Sequence, residues 1–306
     1  MKEMKNPKVA LVQAAPYIFD KERTLEKVLK LIKEAALKKP DIIVFPELFI
    51  PGYPFGMTFG FTVGHRDNSA RKDFKRYYDN SILVPGKETA LLGQAAKEAG
   101  AYLSIGISEK TENNASLYNT NIIFDKNGDL KYIHRKLKPT GSERVIFADG
   151  QKYLLPILDS PYGKMGSLIC WESYMPLARV ALTEKGMVIL IAPNTNDNLE
   201  WQDTIKHIAI ESHVFYLNCN MIIKKENYPK DLKTYGEIEK LDDLLCRGGS
   251  SIVDPYGHYL VEPVWDKEEI IYESLNMNDI VKSRMEFDLC GHYGRDDVFN
   301  FSYKEI

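Results

Sequence analysis

The chain has 306 residues, of which 44% are hydrophobic and 27% charged, enough to build a sizeable core in a single large domain spanning residues 1–306. A net charge of −3 offers no basic field for nucleic acid or an anionic membrane, and the longest apolar runs, such as MVILIAP, are too short to cross a bilayer. The four cysteines (Cys170, Cys219, Cys246, Cys290) lack CxxC spacing and the six histidines form no HxxxH or HExxH pair, so neither a disulfide framework nor a metal site is expected.

Strand and helix signals alternate along the chain. The opening MKEMKNPKVALVQ has no apolar secretory run, and its KVALVQ portion is β-rich, so the cytoplasm is the expected location. KERTLEKVLKLIKEAALKK puts Leu25, Val28, Leu29, Ile32 and Ala36 on one helical stripe. DIIVFPE is a short continuous apolar run, the pattern of a strand buried on both faces. LFIPGYPFGMTFGFTVGH has no clean period and reads as an ordered loop whose aromatics either wall a pocket or glue the loop down. KETALLGQAAKEAG is a helix stopped by Gly100. AYLSIGIS, SLYNTNIIFD and LKYIHRK follow as strands, the last two joined by KNGD, a strong hairpin signal. YLLPILDS and KMGSLIC form a further strand pair around PYG.

The second half repeats the theme. Helix YMPLARVALTEKG leads to strand MVILIAP, and the helix around WQDTIKHIAIESHV leads to strand YLNCNMII. Strands SIVDPYGHYLVEP and EIIYESLN precede a short helix from about Asn278. The charged stretch from Lys224 to Asp243 reads as a surface insertion or flexible loop. Alternation interrupted by hairpins implies an α/β protein of mixed sheets covered by helices.

Three reactive side chains fall at strand ends: Glu47 closes DIIVFPE, Lys136 closes LKYIHRK and Cys170 closes SLIC. Ligand crevices of open α/β sheets lie beyond such ends, so a carboxylate, an amine and a thiol from separate strands can converge there. Together they suit acyl transfer through a thioester. The carboxylate takes the thiol proton and later activates water, while the ammonium steadies developing charge and the Trp171 backbone N–H adds a second donor. Singly, each also fits an ordinary role: a solvated glutamate, a surface lysine, a cysteine packed in the core. His134, two residues from Lys136 on the same strand face, is the alternative base of a Cys–His hydrolase.

The surrounding blocks FPELFIPGYP, HRKLKPTGSER and GSLICWESYMPLAR, with SLYNTNIIFD, HIAIESHVFYLNCN and CGHYGRDDVF, resemble the nitrilase superfamily (carbon-nitrogen hydrolases) over nearly the whole chain. CWE and HRKLKPTGSER point to its true nitrilase branch. The resemblance implies a four-layer α-β-β-α sandwich with two mixed sheets, and subunits that pair as a homodimer or higher homo-oligomer. It makes Cys170 the nucleophile, Glu47 the general base and Lys136 the group that stabilises or protonates the tetrahedral species. Glu143 becomes a second carboxylate near Lys136, the other reading being a turn residue paired with Arg144 or Lys138. Tyr53 and Trp171, close in sequence to catalytic positions, are the expected substrate-binding residues. The implied reaction converts a small organic nitrile to the carboxylic acid and ammonia with no cofactor. Amidase, carbamoylase or cyanide-hydrolysing chemistry on the same triad, and a catalytically silent binding protein, are the alternatives.

Overall fold

The computed structural model describes residues 3–304. One sheet runs, in spatial order, Glu269–Ser274, Lys8–Gln13, Ile42–Val44, Tyr102–Lys110, Leu117–Phe124 and Leu130–Arg135, with Ile82–Leu83 also beside Tyr102–Lys110. The second runs Ile222–Lys224, Leu244–Val253, Phe215–Cys219, Met187–Pro193, Gly163–Ser167 and Leu158–Ser160, with Tyr259–Trp265 also on Leu244–Val253. Each sheet has three parallel central strands with antiparallel strands outside them, and the short Ile82–Leu83 adds a further parallel pairing to the first, so both are mixed.

Period-2 alternation explains the layering. Val9 and Leu11 face the second sheet and pack with Ile189, Ile191, Phe215 and Leu217. Ala10 and Val12 point the other way, onto Val28 and Ile32 of helix Lys21–Ala36 and Leu92 and Ala96 of helix Lys87–Ala99. On the far side Leu190 and Ala192 meet Ala181 and Leu182 of helix Pro176–Glu184, and Ile205 and Ala209 of helix Leu199–Ser212. Three apolar cores separated by two sheets make the expected α-β-β-α sandwich. Its strands are continuous apolar runs because both faces are covered.

Several local expectations change. Helix Arg71–Asn80 goes beyond the expected elements: RKDFKRYYDN is mostly polar, and its one apolar face is the short aromatic set Phe74, Tyr77 and Tyr78 packed on the first core. YLNCNMII is two strands. They break at Asn220, whose backbone N–H bonds the Ser250 hydroxyl and whose amide nitrogen donates to the carbonyls of Asn196 and Gly248. SIVDPYGHYLVEP turns back on itself, its two arms pairing around Asp254–Gly257. The stretch from Lys224 to Asp243 is not a solvated loop: Tyr228, Leu232 and Ile238 are buried, spaced so that a polar composition conceals three apolar anchors. It also caps helix Arg71–Asn80, where Asp73 accepts from the backbone N–H groups of Lys233 and Thr234.

Candidate active site

Strand Ile42–Val44 ends just before Phe45, Pro46 and Glu47, and the chain there runs against the neighbouring strand at Gly106. The Gly106 N–H donates to the Pro46 carbonyl at 3.1 Å, and Ile50 N–H donates to the Gly106 carbonyl at 3.3 Å. A Cβ on Gly106 would lie 2.4 Å from Pro46 O and 2.7 Å from Glu47 Cα, so only glycine permits this approach. Glu47 is therefore fixed by backbone, and its side chain is fully buried.

Lys136 follows directly on strand Leu130–Arg135, and its backbone N–H extends the ladder by donating to Asn119 O at 2.8 Å. Its ammonium, 1% exposed, donates to Glu47 Oε1 at 2.7 Å and to both oxygens of Glu143 at 3.1 and 3.0 Å. Glu143 sits in the short 3₁₀ turn Gly141–Val145 and is filled by donors, with Tyr53 OH at 2.7 Å and Thr140 N–H at 3.0 Å besides the lysine. Glu47 differs. Oε1 receives Lys136 and the Asn119 amide (2.6 Å), while Oε2 has no protein partner among the described residues.

Cys170 comes from the other sheet. Strand Gly163–Ser167 ends before it, and Cys170 opens a 3₁₀ turn to Tyr174 with φ of +52°, a left-handed backbone unusual outside glycine. The corner is held by Glu172, whose Oε2 accepts from the Ile169 N–H at 2.7 Å and lies 2.9 Å from His134 Nε2. Glu172 Oε1 accepts from the Leu137 N–H, so one buried carboxylate joins the cysteine corner to the lysine strand.

The electrostatics follow from burial. Desolvation pushes the Cys170 thiol well above its ordinary value, with Glu47 adding to the rise and Lys136 and the Thr195 backbone N–H opposing it. The resting sulfur is a neutral thiol that needs a base. Burial also raises Glu47, against the pull of Lys136. Burial would depress the Lys136 ammonium, yet Glu47 and Glu143 outweigh it and hold the group charged. This set can remove a proton from sulfur, and keep a cation beside an anionic intermediate, in one shielded place.

Glu47, Lys136, Cys170 and Glu143 thus converge, and Tyr53 joins them through Glu143. Trp171 lies differently: its ring is 46% exposed and stands edge-to-face on Tyr174, which stands on Trp201. His134, fully buried, is turned to Glu172, with Tyr153 O 3.4 Å from its other nitrogen, and serves the corner instead of the sulfur. Glu143 bonds Lys136, not Arg144 or Lys138; the Arg144 Nε donates to the Pro139 carbonyl, and Lys138 pairs with Asp149. Three residues escaped sequence reasoning: Asn119, Gly106 and Glu172. An asparagine and a glycine inside strands, types depleted there, were the available signals for the first two. Among the described residues no three His, Cys, Asp or Glu side chains are grouped to hold a metal, and no helix is long and apolar enough to cross a membrane.

The carbon-nitrogen hydrolase family pattern matches residues 8–285. An aliphatic nitrilase of Sinorhizobium fredii (strain HH103) is 41% identical over 298 residues, covering 97% of this chain and 96% of the relative. A bifunctional nitrilase/nitrile hydratase of Nicotiana tabacum is 36% identical over 97% of this chain and 86% of its own length. A carbon-nitrogen hydrolase from Helicobacter pylori G27 superposes with a TM-score of 0.74 over 97% of this chain and 98% of that one; at 21% identity it speaks for the fold alone. The chain belongs to the carbon-nitrogen hydrolase family, the nitrilase superfamily, and within it to the nitrilases.

Proposed function

We infer that the protein is a nitrilase that converts a small organic nitrile to the carboxylic acid and ammonia, with Cys170, Glu47, Lys136 and Glu143 as its catalytic residues. The observation that carries the residue roles is the asymmetry between the two glutamates: Glu143 is saturated with donors, whereas Glu47 keeps one oxygen free. Glu47 Oε2 takes the proton of the neutral Cys170 thiol as sulfur adds to the nitrile carbon. The nitrile nitrogen, gaining charge, is protonated by Lys136, which leaves a thioimidate on sulfur. The thiol proton then passes from Glu47 to the neutral Lys136 across their 2.7 Å hydrogen bond, restoring carboxylate and ammonium. Water adds to the thioimidate carbon, its proton going to Glu47 while nitrogen takes one from Lys136. On collapse the hydroxyl proton returns to Lys136, nitrogen takes the proton on Glu47 and leaves as ammonia, and a thioester remains. A second water, deprotonated by Glu47, releases the acid, and sulfur takes that proton back. Glu143 and Tyr53 orient Lys136 and keep its charge. Collapse of the tetrahedral intermediate with loss of sulfur instead of ammonia releases the amide, the second product expected of such a site. Tyr53 borders the substrate's organic group, and Trp171 contributes its backbone N–H instead of its ring.

Ammonia release from a panel of nitriles and their matching amides tests this reading, beside intact-mass detection of an adduct on Cys170 and a Cys170→Ala control. Nitriles should turn over faster than amides. Faster amide turnover would make the enzyme an amidase, and no adduct on Cys170 would remove the cysteine from the mechanism.

The working protein is a homodimer or larger homo-oligomer in the cytoplasm. Supporting the pairing, the helix layer over the second sheet exposes Tyr174, Met175, Leu177 (65%) and Leu199 (67%), an apolar strip that a second copy of the same layer would cover. Supporting the location, Cys170, Cys219, Cys246 and Cys290 are all unpaired thiols. Sedimentation of the native protein beside Leu177→Asp should show the variant shifted to monomer; a monomeric native protein would end the pairing.

A further inference from the structure

We propose that Asn119 is a further catalytic residue, which binds and orients the water that attacks the Cys170 thioimidate. The inference rests on the nitrilase reading above and adds a residue that neither sequence nor family resemblance singled out. Asn119 is 1% exposed and held by its own strand and by the Lys136 N–H on its carbonyl. Its amide nitrogen donates to Glu47 Oε1, which Lys136 also occupies, so Oε1 is filled and Oε2 is the carboxylate oxygen left for chemistry. The Asn119 Oδ1 is likewise buried and accepts from no protein group among the described residues. Two unfilled acceptors thus belong to one hydrogen-bonded pair, whose carboxylate interacts with the Cys170 thiol.

Burying an acceptor without a donor costs on the order of 1–3 kcal/mol, so such atoms persist where a donor from outside the protein serves them. Water supplies two O–H donors and keeps a lone pair for attack. With one hydrogen on Glu47 Oε2 and the other on Asn119 Oδ1, the oxygen lone pair is left to meet the thioimidate carbon. The C–O bond forms and one O–H breaks, its proton passing to Glu47. The C=N π pair moves onto nitrogen, which takes a proton from Lys136, itself recharged after sulfur addition by the thiol proton that Glu47 passed along their 2.7 Å hydrogen bond. The second hydrogen stays on oxygen, still donated to Asn119. The titratable groups that interact with Glu47 are Lys136, Glu143, Tyr53 and Cys170, with Tyr77 and Cys246 also within its field. Addition of sulfur to the nitrile uses no water, so it does not need the Asn119 carbonyl.

The test is Asn119→Ala with a nitrile that the native enzyme hydrolyses. Turnover should fall about 10²-fold, and intact-mass measurement should find Cys170 carrying an adduct of the whole nitrile's mass. Asn119→Asp, which in its protonated form donates to Glu47 and keeps a carbonyl, should recover much of the turnover without adduct build-up. Loss of adduct formation in step with loss of turnover would reduce Asn119 to support for Glu47 and overturn the proposal, as would unchanged turnover. Asn119→Ser repeats the measurement if the alanine variant folds poorly. Failure of the native enzyme to release ammonia from any nitrile would sink the nitrilase reading itself, a result separate from both.

Discussion

The floor of the site and its cover are built on different principles. In the floor, Glu47, Lys136, Asn119, Cys170 and Glu172 are each no more than 5% exposed; strand exits place Glu47 and Lys136, a strand interior places Asn119, and a tight corner places Cys170 and Glu172. The cover, made of the loop after Tyr53 and the segment from Lys225 to Glu239, is joined by buried apolar anchors (Met57, Phe59, Tyr228, Leu232 and Ile238) and by polar clasps. Glu237 accepts from Thr58 and Gly60, and Tyr228 OH donates to the Phe55 carbonyl. Parts of the cover stand open to solvent, Phe61 at 43% and Val63 fully. In the proposed mechanism the contrast separates tasks: a floor over-determined by sheet register carries bond making, and a loop cover with solvent-exposed parts tunes substrate choice. Changes in the floor should then cost turnover, and changes in the cover should cost selectivity.

The largest effect breaks the floor outright. Cys170→Ala should lower kcat about 10⁴-fold or more, and adding Glu47→Gln should cost little further, because groups acting as a unit are not additive. Ammonia release from the single and double variants checks this; additive losses would mean that Glu47 and Cys170 serve separate steps. Gly106→Ala comes next. Its new methyl meets the Pro46–Glu47 backbone, and a displacement of about 1 Å is worth roughly 10²-fold in rate. The variant should stay folded by circular dichroism, with kcat reduced far more than KM changes. A near-native kcat would show that the Glu47 segment has other room to move.

How much of this was legible follows the same division. The floor's reactive groups could be read because strand exits leave short apolar runs ending in a charge or a thiol, as at Glu47, Lys136 and Cys170. What surrounds them could not. Asn119 and Glu172 act through partners distant in sequence, Glu47 at one end and His134 with Leu137 at the other, and nothing local marks such pairings. The strand-end reading was also a little short. SLIC has the pattern of a strand through Cys170, whereas the ladder stops at Ser167 and the cysteine stands on the left-handed corner beyond. The cover was the least legible part. Its lysines and glutamates resemble a solvated loop, while Tyr228, Leu232 and Ile238 are too widely spaced to register as a period.

Glu143→Gln sharpens the comparison from inside the floor. In the proposed mechanism Glu47 must be ionised to accept the thiol proton, so activity should fall as pH drops through its pKa, which burial and the nearby Glu143 charge raise, against Lys136, above the ordinary carboxylate value of about 4.3. Removing the Glu143 charge lowers that pKa, so the acidic limb of the kcat/KM profile should move to lower pH. Turnover should fall about 10-fold or more, since Lys136 loses charge-assisted bonds at 3.0 and 3.1 Å. An acidic limb that stays in place would mean that a group other than Glu47 governs it.

The smallest effect belongs to the cover. Glu237 accepts from the Thr58 N–H at 2.6 Å, the Thr58 hydroxyl at 2.9 Å and the Gly60 N–H at 2.9 Å, so Glu237→Ala releases the loop at one point. Stability should drop by about 1–3 kcal/mol for the donors left unpaired. On a panel of nitriles of increasing bulk, KM should shift about 3–10-fold, unequally across the panel, while kcat stays within about 2-fold, the pattern of lost substrate binding without lost transition-state contact. Tyr53 decides how independent cover and floor are, because it begins the loop and also donates to Glu143 at 2.7 Å. If loosening the loop drew Tyr53 away, Glu143 would be disturbed and kcat would fall together with a displaced acidic limb. Cover and floor would then be one mechanical unit; a KM change with an unmoved limb keeps them two.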